Sequence, residues 1–527
     1  MKNRKYLFIL AGLILFGALL RFYNIKERGI FWADEAFFLN ASKTVYAAIN
    51  FIFSNLFGNA TLPFGEYIIA NGGGYVTGAK PGFLLFETLA FLIFGVHDYA
   101  GIIVSALSGI ASILLVFIIG RKLFGVKTAL VAAALLTFSS YHIIYSRSGL
   151  SVSLAAFFIL LGIYFYLRSD KSSSKESRFI NIYIFLAGLS IGYAYSCHYS
   201  LFWAIFMILF IELIFPAADS PGLAVKIKRL LLLSIGITIP LLAWQLITVS
   251  ARFFISPLRR GFELPTYFEQ IKIYFLANGG AKFSLQGIDY YIKVMMQNDG
   301  LLVLFFFAIG SIFLLSRYKK NIGYVVLLFF SFVPLVMYSL YQTNKTPHGI
   351  FIALPFLILI SARGIIYICD KVSGKENALW AGVSSVIVLA IIYNNFVNLK
   401  TPLASRSTYL KALGYINEQG DYKHFSSTPS VSVFYAGNIS VYPAERLDLA
   451  KARQLHNEHK YRYLILDWDR FITSRQNELI AEVMKRKIRP VFRAPYIHFN
   501  MLYFGDMEAE KISASHSIDV YDLNEIF

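Results

Sequence analysis

The sequence predicts a polytopic α-helical membrane protein, with about eleven transmembrane helices and shorter juxtamembrane ones, followed by a small C-terminal α/β domain. Three observations predict it. The 527 residues are 57% apolar and only 15% charged, with a mean hydropathy of +0.58, whereas an ordinary globular domain carries about a quarter charged residues. Apolar stretches near the ~20 residues needed to cross a bilayer recur as far as about residue 397. After that the composition changes, and residues 400–527 hold 17 Lys/Arg and 15 Asp/Glu. The 49 Phe and 34 Tyr exclude a disordered chain, and glycine without period excludes collagen.

The first stretch, 6–22, follows Lys2, Arg4 and Lys5 and has no small-residue cleavage site, so it reads as an anchor. A loop over 23–80 contains a helical stretch from Asp34 to Phe53. Pro81 to Gly95 is 15 residues long and includes Glu87, too short to span comfortably, and reads as an interfacial helix. Spans follow at 99–120, 127–145, 150–167, 180–197, 199–215, 230–250, 300–316, 322–341, 348–368 and 378–397, with a second long loop at 251–299. With the N-terminus cytoplasmic, the inward segments carry 18 Lys/Arg and the short outward turns carry 2. That asymmetry is the positive-inside rule. It places the tail extracytoplasmically, and the plain N-terminus and basic loops suit a plasma (inner) membrane.

Within the tail, Leu403 to Glu418 has helical spacing, Tyr461 to Trp468 reads as a buried strand, Asn477 to Lys485 as a helix and Val491 to Phe504 as strand material. Residues 1–399 and 400–527 are thus the expected domains. Cys197 and Cys369 fall at opposite membrane faces, separated by about 30 Å of hydrocarbon, and cannot pair.

The net charge of +18 could mark a nucleic-acid partner, but its distribution gives that little support and no such partner is expected: 1–399 holds 32 Lys/Arg against 16 Asp/Glu, so +16 of the excess orients the membrane part. Charge is rare there, so each acid is informative. The one adjacent acidic pair in that part, Asp34-Glu35 in GIFWADEAFF, opens a helical stretch at the outer interface. Acids favour helix starts, but two carboxylates beside Trp32 and phenylalanines are costly unless used. The pair reads as a general base with a partner, or as metal ligands. In NGGGYVTGAKPGF (71–83) the glycines lack phosphate-loop spacing, while Lys80, just before Pro81, is placed to meet an anionic headgroup. Arg147, His198, Lys345 and His348 lie at other outer span ends. Cations around an acidic pair suit a phosphate-bearing lipid substrate and an acceptor hydroxyl that needs a base.

The layout resembles the GT-C class of integral-membrane glycosyltransferases, in particular the family of protein O-mannosyltransferases and lipid A aminoarabinose transferases. The resemblance is carried by Arg21, WADEAFF (32–38), AKPGF (79–83), FGVHDYAGIIVSALSG (94–109) and RKLFG (121–125). It continues through YSRSGLSVSLAAFFILLGIYFYLR (145–168), GLSIGYAYSCHYSL (188–201) and KTPHGIFIALPFLILISARGI (345–365). It implies transfer of one sugar from a polyprenyl-phosphate donor to a glycolipid, protein or polysaccharide acceptor in the cell envelope. Asp34 matches the family's catalytic acid, with Glu35 in support. Lys80 matches the lysine that holds the donor phosphate, joined by Arg147, His198, Lys345 and His348. Relatives commonly have lysine at the place of His198 and arginine at that of His348. A divalent metal ion stays open as a cofactor, but Ser151 stands where many relatives have an acid, which leaves donor binding to cations. The competing class is a lipid-linked-sugar transporter or flippase, against which stand the near absence of mid-membrane charge and of any internal repeat.

Overall fold

The computed structural model describes residues 2–527 except 59–61, 71–79, 170–178, 216–221, 256–264, 279–285, 342–346, 373–376, 421, 438–439, 445–447, 468–477 and 496–516. The chain enters as α1 (Lys2–Phe22), turns through α2 (Ile25–Arg28), and continues into α3 (Ala33–Leu56), α4 (Phe64–Ala70) and α5 (Pro81–Phe94). The body is then built from α6 (Ala100–Phe124), α7 (Val126–Phe138), α8 (Ser140–Ser146), α9 (Val152–Arg168), α10 (Ile180–Cys197), α11 (Phe202–Ile214) and α12 (Leu223–Ile255). It closes with α13 (Tyr267–Asn278), α14 (Gln286–Asp299), α15 (Leu301–Leu315), α16 (Ile322–Tyr341), α17 (Leu354–Val372) and α18 (Asn377–Ala404). Among the described residues eight helices are long and apolar enough to cross a membrane, or up to ten if each of two bent pairs is one span.

Every stretch expected to span is helical, but several differ in detail. The 127–145 stretch is two helices bent by 59°. Ser139 leaves the helix and its hydroxyl accepts from the His142 N–H at 3.0 Å, so a new N-cap restarts the chain as α8. The span at 301–315 is preceded by α14 across a 116° bend at Gly300, whose φ of +84° suits glycine. One of the eight long helices is α3, a segment the sequence places outside the membrane. Its first half lies against the tail: Asn40 Nδ2 donates to the Ser430 carbonyl at 2.8 Å and Lys43 Nζ to that of Phe434 at 3.4 Å.

Packing follows small residues. A Cβ at Gly188 or Gly192 of α10 would collide with the backbone of α12, and one at Gly236 with that of α10, so these helices approach backbone to backbone. At the bundle end remote from the tail, Arg229 pairs with Glu212 at 2.6 Å; Arg229 also donates to the Ser169 carbonyl and the Tyr166 hydroxyl to Glu212, which ties α9, α11 and α12.

The tail comprises α19 (Tyr409–Gln419), β1 (Lys423–Ser426), α20 (Pro429–Ala436), β2 (Val441–Pro443), α21 (Leu449–His459), β3 (Tyr461–Asp467), α22 (Glu478–Lys485), β4 (Phe492–Pro495) and β5 (Ser517–Asp522). The sheet order is β2-β1-β3-β5-β4, parallel through β2, β1 and β3 and antiparallel at β5 and β4. The helix expected over 403–418 is divided: α18 runs to Ala404 and α19 starts at Tyr409. Between them the Ser407 N–H donates to the Arg28 carbonyl at 2.7 Å, which takes that residue out of any helix. Only Phe492–Pro495 of the 491–504 stretch is a described strand; 496–504 lies outside the described residues. Tyr435 and Arg406 complete the docking through Asp98 at 2.7 Å and Glu27 at 2.9 Å.

Beneath α3, Glu87 of α5 is fully buried, accepting from the Ser42 hydroxyl at 2.7 Å. Burial raises its pKa from 4.5 to about 8; the Ser42 bond opposes the rise and Glu35 adds to it. Folding therefore favours the protonated acid. Its stabilising share is whole below pH 4.5 and is lost as pH climbs through about 8. A thermal-unfolding series over this window should show a falling midpoint that Glu87→Gln flattens. In the same assay Gly188→Val or Gly236→Val should cost about 1–3 kcal/mol, whereas Gly382→Ala, inside α18 and meeting open space, should cost nothing and stabilise by up to about 1 kcal/mol.

Candidate active site

The site is built where helix ends meet. α7 stops at its break with its last carbonyls unpaired. Arg21, completely buried near the end of α1, reaches them: Nη2 donates to the Leu136 carbonyl at 3.3 Å and Nη1 to that of Thr137 at 3.4 Å. The His142 Nδ1 lies 2.6 Å from Nη2 and must accept, because a guanidinium only donates. Arg147, just past α8, returns the favour to α1, its Nη1 donating to the carbonyls of Leu20, Arg21 and Tyr23 at 3.0, 3.3 and 2.7 Å. Each arginine thus caps the other's partner helix and fixes the loop that leads to α3.

That loop closes on Glu35. Arg28 meets it in a buried ion pair, Nη2 to Oε1 at 2.9 Å and Nη1 to Oε2 at 3.2 Å. The N–H groups of Phe31 and Trp32 donate to Oε2 at 2.9 and 3.2 Å, and that of Gly149 to Oε1 at 2.7 Å. Five donors occupy the carboxylate. Arg28 also lies over the rings of Phe31 and Trp32, 5.0 and 5.2 Å from their centroids. These bonds tie the first turn of α3 to the segment before it and to the turn at Gly149.

Asp34, one residue earlier, is exposed, and its carboxylate makes no hydrogen bond among the described residues. Lys80 caps α5 ahead of Pro81, with its ammonium 5.2 Å from the centre of the Phe38 ring. Burial lowers the Lys80 pKa, opposed by Asp34 and then by Cys197. His198 occupies the turn after α10, its ring 6.1 Å from that of His348, which precedes α17. Burial holds the His198 pKa well below its usual range, and the charges of Lys80 and His348 add to that. Asp34 and Lys80 both act electrostatically on His348. These four groups form one cluster at the tail end of the bundle, where the Ser430 hydroxyl of α20 approaches the Ala33 carbonyl at 3.5 Å.

The structure thus brings together Asp34, Lys80, His198 and His348. It turns Glu35 and Arg147 to helix ends, and Lys345 lies outside the described residues. What the sequence does not reveal is the support of His198: its Nδ1 lies 3.0 Å from the Ser200 hydroxyl, which is 2.7 Å from the Tyr338 hydroxyl, itself 3.3 Å from the Trp203 indole nitrogen. Ser200 and Trp203 sit in the YSCHYSLFW motif; Tyr338, one tyrosine among 34, carries no sequence signal. Among the described residues no three His, Cys, Asp or Glu side chains are grouped to hold a metal ion. The donor set does not fit one, since Glu35 is saturated and Asp34 shares its surroundings with a lysine.

The architecture is that of the GT-C glycosyltransferases. ArnT from Cupriavidus metallidurans superposes with a TM-score of 0.61 at 10% identity, covering 99% of this chain and 98% of its own, and its undecaprenyl-phosphate complex with 0.57. The Archaeoglobus fulgidus oligosaccharyltransferase AglB, solved with an inhibitory peptide and a dolichol-phosphate, gives 0.58 at 14% identity over 96% of this chain and 75% of its own. Residues 79–244 match the family described as dolichyl-phosphate-mannose-protein mannosyltransferase, a stretch that includes Lys80 and His198. YycA of Bacillus subtilis (strain 168), provisionally named a mannosyltransferase, is 28% identical over 255 residues, 48% of this chain. The matched region spans 33% of YycA, so the chain covers about a third of that relative.

Stability separates the two acids. Glu35→Gln leaves the buried Arg28 without its counter-charge and should cost about 3–5 kcal/mol, whereas Asp34→Asn should stay within about 0.5 kcal/mol, both read by thermal unfolding in detergent.

Proposed function

We propose that the protein is a glycosyltransferase that moves a single sugar, a hexose or pentose, from a polyprenyl-phosphate donor to an acceptor hydroxyl. The observation that carries this reading is Asp34, an exposed carboxylate in one electrostatic cluster with Lys80 and His348. In the reaction the acceptor oxygen attacks the anomeric carbon as the bond from that carbon to the phosphate oxygen breaks. The polyprenyl phosphate leaves with the electron pair and Asp34 takes the acceptor proton. Lys80, His198 and His348 donate to the phosphate as its charge grows. Arg147 and Glu35 hold the loop that presents Asp34.

An apolar groove of about 730 Å³, lined by Met295, Met296, Phe305, Phe332 and Leu335, runs along α14–α16 and suits a polyprenyl chain. Tyr338 lies one turn beyond Leu335 on α16. The names of the matched family and of YycA make mannose the first sugar to try. The acceptor is a glycolipid, protein or polysaccharide, met from the side where α20 borders Ala33. In the same reading the N-terminus is cytoplasmic and the tail extracytoplasmic, in the plasma (inner) membrane.

Proteoliposomes supplied with radiolabelled polyprenyl-phosphate mannose and candidate acceptors test this. Asp34→Asn should lower the transfer rate about 10²–10⁴-fold with donor still bound, and Lys80→Ala should raise KM for the donor. Undiminished transfer by Asp34→Asn would remove Asp34 from the mechanism.

A further inference from the structure

We infer that the hydrogen bond between Ser42 and Glu87 fixes the register of α3 against α5, and with it the spacing between Asp34 and Lys80, so that Ser42 and Glu87 are positioning residues for the reaction. The part played in transfer rests on the reading above; the register does not.

The contacts between the two helices repeat with the helical turn. The ring of Phe38 meets that of Phe83 edge to face, 5.5 Å between centres. Four residues on along both helices, the Ser42 hydroxyl donates to Glu87 Oε2 at 2.7 Å. After another four, Tyr46 meets Phe91 at 6.2 Å. Residues four apart share a helix face, so these pairs are rungs of one ladder, and α3 and α5 run parallel. Carried back one turn, the ladder reaches Asp34 on α3 and Lys80 at the head of α5. The aromatic rungs can slide, because dispersion is not directional. A hydrogen bond between buried groups cannot: it weakens steeply with displacement and leaves an unsatisfied acid. A slip of one turn would carry Asp34 about 5.4 Å past Lys80. The single polar rung therefore sets the register, as one buried polar side chain does in a coiled coil.

Phe38, Phe83, Phe91, Ser42 and Glu87 are all buried. Glu87 receives one donor where Glu35 receives five, and its Oε1 has no hydrogen-bond partner among the described residues. Beside Oε1 stands Gly101 of α6, where a Cβ would collide with the carboxyl. Of the titratable groups on the elements around it, Glu35 of α3 disfavours a second anion. Lys80 stands at the head of its own helix, and Tyr193 and Cys197 of α10 meet α5 a turn earlier, at Gly82. Asp98, between α5 and α6, accepts from Tyr435. Burial keeps the Glu87 carboxyl protonated up to about pH 8. Once ionised, it would set an anion with a single donor between the two helices, which favours their separation. The spacing of Asp34 and Lys80 is thus held below that pH and released above it.

The test uses the full chain in proteoliposomes with polyprenyl-phosphate mannose. Ser42→Ala should lower kcat on the order of 10–100-fold, while undecaprenyl phosphate still binds within about threefold of the wild type. Wild-type kcat should fall as pH passes about 8. Glu87→Gln cannot ionise and its amide oxygen can still accept from Ser42, so its rate, scaled to its own value at neutral pH, should fall only at higher pH. Independently of any substrate, infrared difference spectra against Glu87→Gln should show the C=O stretch of a protonated carboxyl. That band should shift in Ser42→Ala and vanish as pH passes about 8. An undiminished kcat in Ser42→Ala, or an alkaline fall that Glu87→Gln leaves in place, overturns the inference. The carboxyl band, shifted in Ser42→Ala, with no sugar transfer by the wild type would instead count against the transferase reading.

Discussion

The Arg28–Glu35 ion pair is the constraint on which the site depends. Taking two charges out of water is expensive, and an ion pair by itself barely offsets that cost. Here the remaining lone pairs of Glu35 are filled by the N–H groups of Phe31, Trp32 and Gly149, so the cost is met by a complete set of partners. Those partners come from two places, the segment from Arg28 to Trp32 and the turn between α8 and α9, and they converge on the first turn of α3. One carboxylate therefore sets the position of Asp34 relative to the helices that carry Arg147 and His142. An exposed aspartate on a free loop would sample many positions; on a turn held this way it samples few.

The remaining basic groups fall into two kinds. Arg21, Arg28 and Arg147 spend their donors on carbonyls and on Glu35, and so define the frame. Lys80, His198 and His348 stand around the space the frame encloses. Burying positive charge at the end of a membrane protein is tolerable because broken helices expose carbonyls there, and an arginine fork matches them without any counter-anion. The break before α8 thus creates acceptors for Arg21, whereas the carbonyls before the bend at Gly300 are met by Asn398.

Much of the fold is legible in the sequence because membrane thickness dictates it. The apolar lengths locate the helices, and the basic loops assign ends. Bends are not legible in this way: Ser139 and Gly300 turn the chain through a cap and a left-handed φ that leave no hydropathy signature. In the tail, β3 and α22 announce themselves, while β1 and β2 are short and lack alternation, and β5 alternates in a segment whose neighbours do not. For the site, Asp34, Lys80 and His198 stand out because charge is scarce. Glu35 looks like a second functional acid from its position, and the backbone N–H groups converging on it, one from residue 149, leave no mark in the sequence. Likewise nothing about Arg147 in sequence shows that its partners are carbonyls of α1.

The docking of the tail on α3 has a consequence for biosynthesis. Asn40 holds the Ser430 carbonyl across 390 positions of chain, and Arg28 receives the Ser407 N–H just after α18. At ordinary translation rates of about 5–20 residues per second, these partners are made on the order of 20–80 s apart. The loop bearing Asp34 is among the first parts to leave the ribosome, yet one of its walls is among the last. Until then the nascent chain holds half a pocket, so the order of synthesis itself delays assembly of the site until nearly the whole bundle is in the bilayer.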